Sequence, residues 1–204
     1  TVLLQSERPA WGAEVVDVAL ENWKDGLGLV SVPVGGTWHM EGRKVTGPAL
    51  KLLADCSTRV LERNHLVVED LRVFIAHQAN YRMLESLVEH LGVNPSQHWS
   101  NVREKGNQGA AGALAAFAEG VERHGSDLLD GDPILVTVVG AGFTSGSVLL
   151  RWIRSVVLLR PTNRRSPAAL RCAVQTCASC IGFAAKVRDG TLAAARGDVF
   201  SPQG

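Results

Sequence analysis

The chain has 204 residues, of which 46% are hydrophobic and 20% charged, and 21 basic against 20 acidic side chains leave a net charge of +1. That length carries one or two domains with a sizeable core, and the composition is that of an ordinary globular protein. No run of about 18 apolar residues occurs, so no membrane span is expected, and the basic C-terminal stretch carries no aromatic interleaving that would motivate a nucleic-acid partner.

The charge is unevenly distributed. Residues 153–204 carry eight Lys/Arg against Asp189 and Asp198, whereas residues 1–152 are net acidic. So sharp a split marks a boundary, and the sequence predicts a body over 1–152 followed by an irregular basic Ala/Arg/Cys-containing extension over 153–204. Thr1–Gln5 reads as the end of a strand whose beginning is missing. The N-terminus has no basic start and only a short apolar run, so no secretory leader and a cytoplasmic location are expected.

In chain order, Ala13–Leu20 and Leu27–Val34 are Val-rich and predict strands or extended segments. Glu41–Arg63 predicts a helix: Val45, Ala49, Leu52, Cys56 and Val60 recur at helical spacing, with Pro48 in the early turns. Leu71–Ala76 predicts a strand that ends at His77. Asn80–Leu91 predicts a helix with Leu84, Leu87, Val88 and Leu91 inward and Gly92 as its stop. Gln97–Val102 predicts a short strand, Gly106-Asn107 a turn and Gln108–Arg123 a helix. Pro133–Val139 predicts a buried strand, Gly140–Gly142 a tight loop and Ser145–Trp152 a last strand. This alternation implies a layered α/β arrangement.

Residues 110–118 hold no charge and mostly alanine. A helix apolar on every side is normally covered on every side, so this one is expected to pack against a partner domain. Cys56 lies on the apolar stripe of its helix and reads as a core residue. Cys172, Cys177 and Cys180 imitate an iron–sulfur spacing, but a fourth thiolate is missing and no metal site is expected.

Three segments carry candidate chemistry. His77 directly follows an apolar strand, where α/β sheets present functional groups, and a neutral imidazole there donates a hydrogen bond from one ring nitrogen. Asn107, at a turn before a helix, supplies an uncharged NH2 donor. Gly140-Ala141-Gly142 lacks bulky side chains, so its backbone amides can approach a carbonyl closely. Neutral donors converging on one oxygen stabilise developing negative charge without protonating it early.

Each segment alone is a common motif. In combination, His77-Gln78-Ala79-Asn80-x-Arg82, then Gly106-Asn107, then Gly140-x-Gly142-Phe143-Thr144-x-Gly146 resembles the C-terminal half of β-ketoacyl-acyl-carrier-protein synthase III, a condensing enzyme of the thiolase-like superfamily. Met40-Glu41-Gly42-Arg43 resembles the segment before the preceding helix.

The resemblance implies an α/β fold that is the C-terminal half of a thiolase-like fold, with a mixed, five-stranded sheet and helices on both faces. It implies an acyltransferase that joins an acyl thioester to malonyl-acyl-carrier protein by decarboxylative Claisen condensation. His77 and Asn107 match the catalytic pair; Gly140, Ala141 and Gly142 match the oxyanion loop; Arg82 matches a contact for the carrier protein or CoA; Gln78 and Asn80 hold the loop geometry. Substrates are acyl-CoA and malonyl-acyl-carrier protein, with no cofactor and no metal. Partners are acyl carrier protein and a cysteine-bearing N-terminal half or subunit, in an enzyme that is a homodimer when complete.

Departures from the pattern are Ser145 in place of a tryptophan, Gln108-Gly109 after the asparagine, the tail, and no cysteine in a nucleophile setting before His77. Besides a split or partial enzyme, the sequence therefore leaves open a non-catalytic carrier-protein or acyl-thioester binding module, or a truncated inactive fragment.

Overall fold

The computed structural model describes Pro9 and residues 11–154. The expected strand end at Thr1–Gln5 and nearly all of the expected 153–204 extension, with its three cysteines, lie outside the described residues. Ile153 and Arg154 are described and belong to the last strand of the body.

A four-stranded sheet is built from β1 (Trp11–Asn22), β4 (Val73–Ala76), β5 (Pro133–Gly140) and β6 (Thr144–Arg154) in the order β1-β6-β5-β4. β4 and β5 run parallel, whereas β6 is antiparallel to both β5 and β1, so the sheet is mixed. All four residues of β4 are buried, the signature of a strand covered on both faces.

The expected strand at Gln97–Val102 is reduced to one bridge. Phe74 N donates to Gln97 O (2.7 Å) and Trp99 N to Phe74 O (3.0 Å). Beyond this bridge the amides of Asn101 and Val102 turn to a side chain, Gln78, so the ladder cannot continue. Among the described residues the sheet thus has four strands and a bridge, where the resemblance implies five strands. Leu27–Val34 is likewise not one strand: only β2 (Val30–Ser31) pairs, with β3 (His39–Met40).

Helix α1 (Gly42–Arg63) lies on one face, across β1, β5 and β6, with α2 (Tyr81–Leu91) beside it. Leu53, Cys56 and Val60 of α1, Leu84 and Leu87 of α2, and Phe74, Leu135 and Leu149 of the sheet form its core. Cys56 is fully buried and its thiol donates to Ala19 O (3.4 Å). Asn80 caps α2 by accepting from Met83 N (2.8 Å), and Gly92 ends it at φ +73°. These signals were visible as residue types, and each satisfies a terminal backbone group.

Helix α4 (Gly112–His124) covers the opposite face over β4 and β5, where Val73, Ile75, Ile134 and Trp152 meet Ala113 and Ala116. It begins four residues later than expected. Gly109 has φ +59°, outside helical space, so Gly109–Ala111 form a separate 3₁₀ turn. Gly120 lets α4 rest on Trp99: a Cβ there would fall 1.9 Å from Trp99 Cε3.

Coverage of this second face is incomplete. The register puts Val15, Val18 and Leu20 of β1 opposite Leu150, Val148 and Gly146 of β6, on the same face as α4 but beyond its reach. They are 54%, 45% and 70% exposed, and Leu114 of α4 is 49% exposed.

Candidate functional site

The site is assembled at the C-terminal edge of the parallel pair β4–β5. Ala76 is level with Thr137, so His77, the first residue after β4, emerges beside the end of β5, whose last residue is Gly140. His77 and the Gly140–Gly142 loop therefore share one edge of the sheet. Parallel neighbours deliver their following loops to the same side.

Phe143 anchors that loop. Its N–H and C=O exchange hydrogen bonds with Trp23 (3.2 and 2.8 Å), and its buried ring lies 5.8 Å from the Trp23 ring. Gly26 makes room, since a Cβ there would sit 2.3 Å from the Phe143 ring. Thr144 Oγ1 donates to Asn22 Oδ1 (2.7 Å) on the other side. Gly140 and Ala141 remain exposed, and Gly142 has φ +131°, a conformation that disfavours any side chain.

Asn107 lies between α3 (Val102–Lys105) and the 3₁₀ turn, and it is exposed. Gly106, with φ +66°, ends α3. The Asn107 Oδ1 accepts from Gly109 N (2.8 Å). This orients the carboxamide and leaves its NH2 pointing away as a donor.

Gln78 ties the His77 segment to the Asn107 segment. Its fully buried side chain accepts at Oε1 from Ser100 Oγ (2.9 Å), Asn101 N (3.0 Å) and Val102 N (3.0 Å), and donates from Nε2 to Ala76 O (2.7 Å). Two of those partners are backbone N–H groups, which only donate, so the amide orientation follows from its neighbours. Gly112 closes the other end: a Cβ there would lie 2.8 Å from Gln78 Cβ. The residues just before and just after the Asn107 loop thus both rest on the residue next to His77.

Electrostatics favour neutral donors. Burial pushes the half-buried His77 imidazole below its ordinary value of 6.5, so it is uncharged at neutral pH. Below the Asn107 loop, Glu119 of α4 accepts from Lys105 Nζ and from Asn101 Nδ2 (3.0 Å). The Lys105 bond, with the Asn101 bond assisting and burial opposing, holds the Glu119 carboxyl below the usual range. Arg82, the second residue of α2, is exposed. Nearby, the Arg103 guanidinium stacks 4.7 Å over the Tyr81 ring, a cation–π contact that also fixes α3 against α2.

Of the expected residues, the fold delivers His77 and Gly140–Gly142 to one sheet edge and links His77 to the Asn107 loop through Gln78, while Arg82 stands at the start of the helix that follows. Gln78 is legible in the sequence as a residue holding the loop, whereas nothing in the local sequence of Ser100 or Gly112 reveals a partner 22 or more positions away. Among the described residues, no group of three or more His, Cys, Asp or Glu could hold a metal ion, and no helix is long and apolar enough to cross a membrane.

Residues 61–152 match the family described as 3-Oxoacyl-(acyl-carrier-protein) synthase III C terminal. A β-ketoacyl-(acyl-carrier-protein) synthase III of Staphylococcus aureus (strain Newman) is 32% identical over 143 residues, covering 63% of this chain and 45% of that protein. The crystal structure of the synthase III from Pseudomonas aeruginosa PAO1 aligns with a TM-score of 0.63 at 32% identity, covering 70% of this chain and 45% of that one. That from Aquifex aeolicus VF5 aligns with a TM-score of 0.63 at 28% identity, covering 68% and 44%. The chain therefore spans less than half the length of these relatives. In sequence and in its thiolase-like α/β fold, the described body is similar to the C-terminal half of β-ketoacyl-acyl-carrier-protein synthase III.

Proposed function

We propose that the described residues form the donor half of an acyltransferase site for decarboxylative Claisen condensation of an acyl thioester with malonyl-acyl-carrier protein. The observation that carries this reading is the Gln78 tie between the His77 and Asn107 segments, with burial keeping the imidazole neutral. In the proposed reaction the malonyl C–CO2⁻ bond breaks and CO2 leaves. The bonding pair moves onto the thioester unit, whose oxygen becomes an enolate accepting from a His77 ring N–H and an Asn107 NH2. The enolate carbon then attacks the acyl thioester, whose carbonyl oxygen is held by an amide of the Gly140–Gly142 loop, that of Ala141 foremost, and the thiolate departs. Decarboxylation drives the sequence, so no cofactor is needed.

The acyl-carrying thiol comes from elsewhere in this scheme. The only cysteine among the described residues is Cys56, which is fully buried and bonded to Ala19 O. A thiol so enclosed cannot present a thiolate to substrate. A cysteine-bearing half or subunit supplies it, and the bare apolar face at Val15, Val18, Leu20 and Leu114 supports a partner covering that side. The complete assembly is a homodimer on this reading. The test is to combine the chain with the cysteine-bearing half of a relative and follow CO2 release from malonyl-acyl-carrier protein. His77→Ala and Asn107→Ala should each cost about 100-fold or more in kcat; full turnover in both variants ends the assignment.

The inaccessible Cys56 also favours a second reading, a binding module that docks acyl carrier protein through Arg82 without chemistry. Capture of carrier protein that is lost in Arg82→Glu, together with no turnover after the cysteine-bearing half is supplied, selects it.

A further inference from the structure

The geometry points to Gln78 as the positioning residue that sets the spacing between the His77 ring and the Asn107 carboxamide, acting through the backbone on either side of both. This rests on the reading of His77 and Asn107 as donors to one thioester oxygen. The hydrogen bonds of the Gln78 amide reach two segments: the end of β4 at Ala76 O, and residues 100–102 at Ser100 Oγ, Asn101 N and Val102 N. The amides of Asn101 and Val102 open α3 and have no partner within that helix. The Asn107 loop begins where α3 ends, and α4, which follows it, starts at Gly112, packed on the Gln78 methylenes.

Among the described residues, the flanking links are the bridge of Phe74 to Gln97 and Trp99 before the two segments and the Arg103–Tyr81 stack after them, and between these only the Gln78 amide hydrogen-bonds across. Moving the Gln78 amide therefore moves His77 relative to Asn107, while neither donor is itself altered. A shift of this kind degrades alignment in the transition state more than it degrades binding.

The side chain is also chemically specific. Oε1 faces three donors and Nε2 faces one acceptor, an arrangement that a carboxamide satisfies completely. A carboxylate keeps the three accepted bonds but opposes Ala76 O, and an aliphatic side chain satisfies none of them. The variants Gln78→Glu and Gln78→Leu therefore form a graded series.

The experiment uses the full chain, first alone and then with the cysteine-bearing half of a relative. Alone, the imidazole of His77 is titrated by NMR. With the partner half, kcat and KM are measured for malonyl-acyl-carrier-protein decarboxylation. Gln78→Leu is expected to move the His77 titration back toward 6.5 and to lower kcat about 100-fold with little change in KM. Gln78→Glu should retain about tenfold more kcat than Gln78→Leu.

Should Gln78→Leu fail to fold, Gln78→Glu and Ser100→Ala carry the test, each expected to give a smaller loss in kcat. A folded Gln78→Leu, or in its place both milder variants, with unchanged kcat and unchanged His77 titration overturns the inference. The controls separate it from its foundation. Full turnover in His77→Ala and Asn107→Ala overturns the donor reading and this inference with it, whereas their inactivity beside a normal Gln78→Leu overturns this inference alone.

Discussion

On one face of the sheet, α1 crosses β1, β5 and β6 with α2 beside it, and Arg63 and Asn64 at its end reach back to the Asp17 carboxylate, Arg63 with both Nε (3.0 Å) and Nη2 (2.6 Å). On the other face α4 covers β4 and β5 only, and β1 shows Val15, Val18 and Leu20 to solvent. Both faces are built from the same residue types. Coverage, more than hydrophobicity, separates the packed side from the side that stays partly open to solvent, and the candidate donors His77 and Gly140–Gly142 lie at the C-terminal edge of β4 and β5.

Substitutions test that contrast from both sides. Leu53→Ala, in the fully covered core, should cost about 2–5 kcal/mol through lost transfer energy and a residual cavity; a urea midpoint close to that of the parent chain would contradict it. Gly120→Ala drives a methyl into Trp99 where α4 is seated, and chemical denaturation should report a loss of about 1–3 kcal/mol.

Acid should act on two half-buried imidazoles together. Burial lowers the titration of both His77 and His98, and the Nε2 of His98 is buried without a partner. Below the ordinary value of 6.5 the unfolded chain binds protons that the folded chain refuses, so stability should fall as pH drops through that region and be regained above it. His98→Phe should flatten part of that slope in pH-dependent melting; a slope identical to the parent would remove His98 from the account.

Leu20→Ser is the mildest change and the sharpest discriminator. On an exposed position it should alter stability by no more than about 0.5 kcal/mol, yet it should weaken binding of a cysteine-bearing half measured by titration calorimetry. Equal binding by parent and variant would show that the partner covers some other surface.

Much of this architecture is legible in the sequence. Ala49, Leu52, Cys56 and Val60 announce α1 by period, Asn80 and Gly92 announce the ends of α2, and unbroken apolar runs announce β4 and β5. Local pattern failed where tertiary partners decide. Residues 97–102 have strand composition, but the Gln78 side chain takes the amides of Asn101 and Val102 that a ladder would have used. Gly109 looks like part of an Ala-rich helix until its left-handed backbone separates it. The candidate donor residues are recognisable only as a spaced set resembling a family. That the segments carrying His77 and Asn107 are tied through one buried amide depends on contacts across more than 20 residues, which no periodicity encodes.

The bulge in β1 has a consequence for how this molecule meets others. Pairing with β6 skips Val16, passing from Val15 opposite Leu150 to Asp17 opposite Leu149. An extra residue bends the strand and interrupts the row of outward-facing amides that would otherwise template fibril-like growth. Deleting Val16 would make Val15 and Asp17 neighbours opposite Leu150 and Leu149, restoring regular pairing with every side chain on its present face and leaving the outer row of backbone groups unbroken.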